Sequence, residues 1–140
     1  MGKKVIALPV LLALAVSIAL AQEHFLLMPE IQGAINSGDF SGFKNISEDK
    51  ISVNFEAPFK LNGYLYIEQF IDDFNRRFSR FKTKEFYWSS KIIEEKFAIQ
   101  SLNLILKNRR SEKTVYYKCI FFLAKNDQKW KIYYLRGLKI

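Results

Sequence analysis

Between Phe97 and Arg136 the chain runs through three apolar-alternating segments joined by two short polar turns, the pattern of an antiparallel meander of strands. In the first, Phe97 to Leu106, one parity holds Ala98, Leu102, Leu104 and Leu106, and the other mixes Ser101 and Asn103 with apolar neighbours. The second, Thr114 to Ala124, is apolar on both parities, with Val115, Tyr117, Phe121 and Leu123 against Tyr116, Ile120 and Phe122. Such a strand is covered on both faces, so a sheet at the centre of the molecule, with something packed on each side of it, is implied.

The 140-residue chain opens with Lys3-Lys4, an uncharged run from Val5 to Leu20, and Ala19-Leu20-Ala21 ahead of Gln22. These are the three parts of a secretory signal peptide. Cleavage after Ala21 is expected, which makes residues 1–21 a signal peptide and residues 22–140 one exported domain, periplasmic or secreted. The apolar run is shorter than the roughly 20 residues a span needs and contains Pro9, so no membrane span is expected in the mature chain. Cys119 is the single cysteine; no intramolecular disulfide can form, and the residue is expected as a small buried apolar group. Lys and Arg number 22 against 14 Asp and Glu, for a net charge of +8. The basic residues are scattered, with local clusters at Arg76-Arg77-Arg80 and Arg109-Arg110, which fits a solvated surface and not a nucleic-acid footprint.

Along the domain, Met28, Ile31, Ala34 and Ile35 recur at helical spacing, with Pro29 inside the first turn and Gly38 past the end, where glycine adopts the left-handed conformation freely. Asp39 is placed to cap a short second helix, Phe40 to Phe43. Ile51, Val53 and Phe55 alternate with polar residues up to Pro58, a half-buried strand, and Lys60 to Gly63 reads as a turn. Ile67, Phe70, Ile71, Phe74 and Phe78 form one helical stripe, with Asp72 and Arg76, and Asp73 and Arg77, four apart on the solvent side. Phe81 to Ile92 alternates again and leads into the meander. Helix, helix, strand, helix and four long strands is an α+β order, with the helices packed in the concave face of a curved, mostly antiparallel sheet.

That order, with the Gly38-Asp39 corner after the first helix, resembles the nuclear transport factor 2-like, or cystatin-like, cone. Within that superfamily the chain resembles a bacterial family of small exported proteins, the domain of unknown function 4783 family. The residues carrying the likeness are the signal peptide, Ala34 to Asp39, Phe74 and Phe78, Ser89-Ser90, Phe97-Ala98-Ile99, Val115-Tyr116-Tyr117 and Ile132 to Arg136. Departures fall at Gln100, where a small residue is usual, and at Gly137 to Ile140, where an acidic end is usual. The family carries no assigned activity, so the resemblance implies fold and export.

Superfamily members that act as isomerases or dehydratases place an acid or a histidine inside the cone, where burial tunes it for proton transfer. Here the sole histidine, His24, lies at the start of the domain, and Glu56 and Glu85 alternate with core residues and should face solvent. No phosphate loop, nucleophile with a base, metal-ligand spacing or paired cysteine occurs, so no catalytic residue, metal or cofactor is expected. The reading is a non-catalytic binding or interaction domain, with a small cone-cavity enzyme acting on a hydrophobic small molecule as the alternative. A ligand pocket would lie between the Ile67 to Phe78 helix and the sheet, with Trp88, Tyr117 and Tyr134 as lining residues. If Tyr117 turns inward, Tyr116, Ile120 and Phe122 turn outward, beside Ile99 and Ile105 and either Tyr133 or Trp130 and Ile132. That apolar face is the expected surface of a homodimer, with Lys118 laying its stem along it.

Overall fold

The computed structural model describes residues 24–140; the expected signal peptide, residues 1–21, and the expected cleavage after Ala21 lie outside the described residues. The described chain runs α1 (Met28–Ser37), a 3-10 turn (Ser41–Asn45), β1 (Ser47–Phe55), β2 (Leu61–Tyr66), α2 (Ile67–Phe78), β3 (Phe81–Ile93), β4 (Phe97–Asn108), β5 (Thr114–Asn126) and β6 (Lys129–Lys139). The six strands form one sheet in the order β2-β1-β6-β5-β4-β3. Every neighbouring pair is antiparallel except β1 with β6. No helix among the described residues is long and apolar enough to cross a membrane.

Each helix follows from its apolar stripe. In α2 the residues Ile67, Phe70, Ile71, Phe74 and Phe78 are all buried, and in α1 the buried set is Ile31, Ala34 and Ile35. Gly38 ends α1 with φ 72° and donates its N–H to the Ala34 carbonyl at 2.8 Å. The following corner is fastened to α2. The Asp39 Oδ1 accepts from the Ser41 N–H at 3.0 Å and from the Asn75 amide at 3.2 Å, while Asn75 Oδ1 accepts from the Phe40 N–H at 2.8 Å. Hydrogen bonds from the Ser41 hydroxyl and N–H, and then from Asn75, hold the Asp39 carboxyl below the usual carboxylate range. Asp39 thus accepts a backbone N–H as expected, but the helix expected over Phe40 to Phe43 is a 3-10 turn over Ser41–Asn45 whose N-cap is Phe40.

Two local expectations are corrected. Lys60 to Gly63 is not only a turn: from Leu61 the chain is β2, an edge strand paired along its length with β1. On α2, Arg76 pairs with Asp73 at 3.0 Å, three residues away, while Arg77 turns to the Phe59 carbonyl at 2.7 Å. Arg77 thereby ties the helix to the β1–β2 hairpin and not to its own helix face.

Candidate functional site

The concave side of the sheet is filled by aromatic rings. Phe40, Phe43, Phe55, Phe59, Phe70, Phe74, Phe78 and Phe81 are buried there, between the helices and the inward parity of β4 and β5. Phe55, Phe70, Phe74 and Phe78 stack or tilt on one another at centroid separations of 5.0 to 6.1 Å, the offset geometries that aromatic quadrupoles favour. What remains between these rings and Leu102, Leu104, Phe121 and Leu135 is a void of about 20 Å³, room for about one water-sized sphere. Tyr117 is wholly buried and donates its hydroxyl hydrogen to the Glu56 carbonyl at 2.9 Å. Burial, then the nearby Cys119 and Glu56, pushes its phenol well above the ordinary range. Cys119 borders the void, and burial pushes its thiol up to about 12, so at neutral pH it is a protonated packing group and not a nucleophile.

Trp88 also lies on the concave parity, opposite Leu102, but its ring faces the segment that precedes α1. Phe25 stacks on it at 4.7 Å with an interplanar angle of 22°. Beside them, Gln100 is fully buried and its amide holds the backbone of Leu26 at both polar atoms: the Leu26 N–H donates to Oε1 at 2.8 Å, and Nε2 donates to the Leu26 carbonyl at 2.7 Å. The Lys91 ammonium sits 5.0 Å from the Phe25 ring centroid and donates to the His24 carbonyl. His24, exposed, contributes its backbone to this contact.

The structure does not bring Trp88, Tyr117 and Tyr134 together. Tyr134 is on the opposite face of the sheet, paired with Phe122 across β5 and β6 and touching its ring edge-on at 4.8 Å. The reason is a β-bulge between Phe122 and Leu123, which are paired with Tyr134 and Ile132. Tyr133, the extra residue, also lies against Phe122, at 6.5 Å. A bulge shifts the alternation by one, and the side chains beyond it change face. This settles the last strand: Ile132 is inward and fully buried, while Tyr133 and Tyr134 join the outer face.

That outer face carries Tyr116, Ile120 and Phe122 from β5, all at the parity opposite the buried Tyr117, Cys119, Phe121 and Leu123. Tyr116 is 53% exposed and Ile99 on β4 40%, while Ile120 and Phe122 are half-buried. Ser89 and Ser90, at a bulge in β3 that follows Trp88, both hydrogen-bond the buried Ser101 hydroxyl, at 2.7 and 2.6 Å. Glu85 is exposed, and Glu56 is exposed with Oε2 accepting the Lys139 N–H at 3.1 Å. Neither acid faces the aromatic interior.

No protein-family model matches the chain, and no curated protein matches it significantly. Solved structures do match. A domain of unknown function 4783 family protein from Bacteroides uniformis superposes with a TM-score of 0.67 at 15% identity, over 81% of this chain and 97% of that one. A nuclear transport factor 2-like protein from Cytophaga hutchinsonii gives 0.59 at 14% identity, over 89% and 97%. A Rhodopseudomonas palustris protein for which isomerase activity is suggested gives 0.56 at 13% identity, over 76% and 80%. At these identities the likeness is one of fold, and the fold is the nuclear transport factor 2-like cone.

Proposed function

We propose that this nuclear transport factor 2-like domain is an exported, non-catalytic interaction module, of the kind represented by the domain of unknown function 4783 family, and that it pairs with a second copy of itself through the outer face of its sheet. The observation that carries the reading is the division of aromatic residues between the two faces. The concave side, where a cone enzyme would hold its substrate, is packed with phenylalanine around a void of about 20 Å³. Among the described residues, the titratable groups buried there are the Tyr117 phenol and the Cys119 thiol, both held in their neutral form by burial. Proton-transfer catalysis needs a group poised near the working pH, and this interior supports no such group.

The outer face, by contrast, leaves Ile99, Tyr116, Ile120, Phe122, Tyr133 and Tyr134 on the surface of one continuous sheet. Contiguous apolar area of this kind marks an interaction surface, and a two-fold partner covers it with the same patch, the commonest closed arrangement for a soluble chain. Lys118, half-buried in the midst of the patch, keeps its charge at the rim by laying its methylenes along the apolar surface.

Light scattering at micromolar concentration tests the pairing. The wild-type domain is expected at twice the protomer mass with a melting temperature that rises with protein concentration, and Phe122→Glu at the protomer mass, folded, with a melting temperature that does not depend on concentration, because Phe122 lies outside the core. A wild-type monomer whose Phe122→Glu variant is equally soluble and stable would remove the interface. Export is tested separately, by mass spectrometry of the protein recovered outside the cytoplasm. A mature chain beginning at Gln22 is expected, and membrane-bound material retaining Met1 would overturn it.

A further inference from the structure

We infer that the concave face of β3 and β4 is a peptide-binding site that the chain occupies in cis with its own residues 24–27. Gln100 carries the inference. A glutamine with no exposed surface in the middle of a strand is costly unless both ends of its amide are satisfied. Here neither end is satisfied by the sheet: both bonds go to one backbone residue, Leu26, 74 positions away in the chain. Paired donor and acceptor bonds to a single residue are what an adjacent strand would supply, and they depend on the backbone alone. The side-chain preferences come from the surroundings. Trp88 takes an aromatic ring one position earlier, with the Lys91 ammonium 5.0 Å from that ring's centroid, and the partly buried Leu26 and Leu27 pack against the core. The Trp88 indole nitrogen is buried and meets no acceptor among the described residues.

The site therefore reads a short segment of the form aromatic, aliphatic, aliphatic that turns at the second aliphatic residue, where Leu27 has φ 56°, with an N–H required at the first aliphatic residue. The occupying segment lies ahead of the first helical residue, Met28. It is held by the two Gln100 bonds, the Lys91 bond to the His24 carbonyl, the ring stack on Trp88 and the packing of Leu26 and Leu27, and not by strand pairing, so a peptide of the same chemistry can compete with it. This inference shares with the preceding section only the premise that the domain binds and does not catalyse. Its site is on the opposite face of the sheet from the proposed dimer surface, so the light-scattering result stands whatever the peptide does.

The test is a titration of a fluorescein-labelled peptide with the sequence of residues 22–29 into the full chain and into Phe25→Ala and Leu26→Pro variants. Phe25→Ala keeps both Gln100 bonds and empties the Trp88 stack; Leu26→Pro removes the donated N–H. The variants are expected to bind the peptide saturably and the wild type about tenfold or more weakly, because a site already filled in cis is competent only in the fraction of molecules whose segment has lifted. A peptide carrying proline in place of Leu26 is expected not to bind, and Gln100→Leu in the Phe25→Ala background is expected to abolish binding. Equal binding of the proline peptide, equal binding to wild type and variants, or binding that survives Gln100→Leu would overturn the assignment. So would a variant with a lowered melting temperature that the peptide does not raise.

Discussion

Gly137→Ala is expected to be among the most destabilising single-methyl changes available to this protein, lowering stability by about 3 kcal/mol, the upper end of what overpacking usually costs. For a domain of this size that is a fall in melting temperature of roughly 10 °C. A Cβ at Gly137 would lie within 3.0 Å of both the Phe55 ring and the Tyr117 ring and hydroxyl. None of these can yield cheaply. Gly137 is on β6, paired with Phe55 of β1 on one side and Cys119 of β5 on the other, and its carbonyl accepts the Glu56 N–H at 3.0 Å. The strand is thus pinned on both edges, and the Tyr117 ring that covers it is itself tied to the Glu56 carbonyl. The comparison that isolates the effect is Gly33→Ala. Gly33 is exposed within α1 and a Cβ there meets nothing within 4 Å, so alanine is expected to raise stability by about 0.5 to 1 kcal/mol through helix propensity. Thermal melts of the two variants beside wild type check both signs. A Gly137→Ala protein that melts with the wild type would mean that Tyr117 does not close over β6 as described.

The close approach of Tyr117 to Gly137 also shows how far the sequence could be read. The alternation in β5 correctly divides Tyr117, Cys119, Phe121 and Leu123 from Tyr116, Ile120 and Phe122, because a central strand between two paired neighbours keeps a strict period of two. The stripe of α2 and the Gly38 terminus of α1 were legible for the same reason: each is dictated by residues within a few positions of one another. The features that escaped depend on distant parts of the chain. β2 is an edge strand of which only Leu61 is buried, so it has no alternation to detect, and Gly63 weakens what pattern there is. The bulge at Tyr133 carries no local mark, and a shift of one residue places Tyr134 on the outer face, away from Trp88 and Tyr117. Gln100 stood out in the sequence only as a departure from a family pattern; what it is for becomes visible once Leu26 lies across it.

Phe59→Ala is expected to cost about 3 to 5 kcal/mol, as for other buried phenylalanines, and to open the cone interior to apolar ligands. Phe59 has no exposed surface. Its ring lies 4.9 Å from that of Tyr117, 5.3 Å from Phe74 and 5.4 Å from Phe81, with Phe55 and Phe78 just beyond 6 Å. The residue belongs to the β1–β2 hairpin, whose position Arg77 fixes by its bond to the Phe59 carbonyl. Removing the ring therefore leaves a hole that neither the hairpin nor α2 can close without breaking that bond. Holes lined by apolar side chains stay dry and take up molecules such as benzene. Benzene or indole at millimolar concentration is accordingly expected to raise the melting temperature of Phe59→Ala and leave that of the wild type unchanged. The contrast bears on function: the cone is filled by its own phenylalanines, and one truncation should open room for a small molecule. Wild-type protein that gains as much stability from benzene as the variant does would mean that the interior was never full, and the reading of this domain as a binder through its surfaces would give way to one through its cavity.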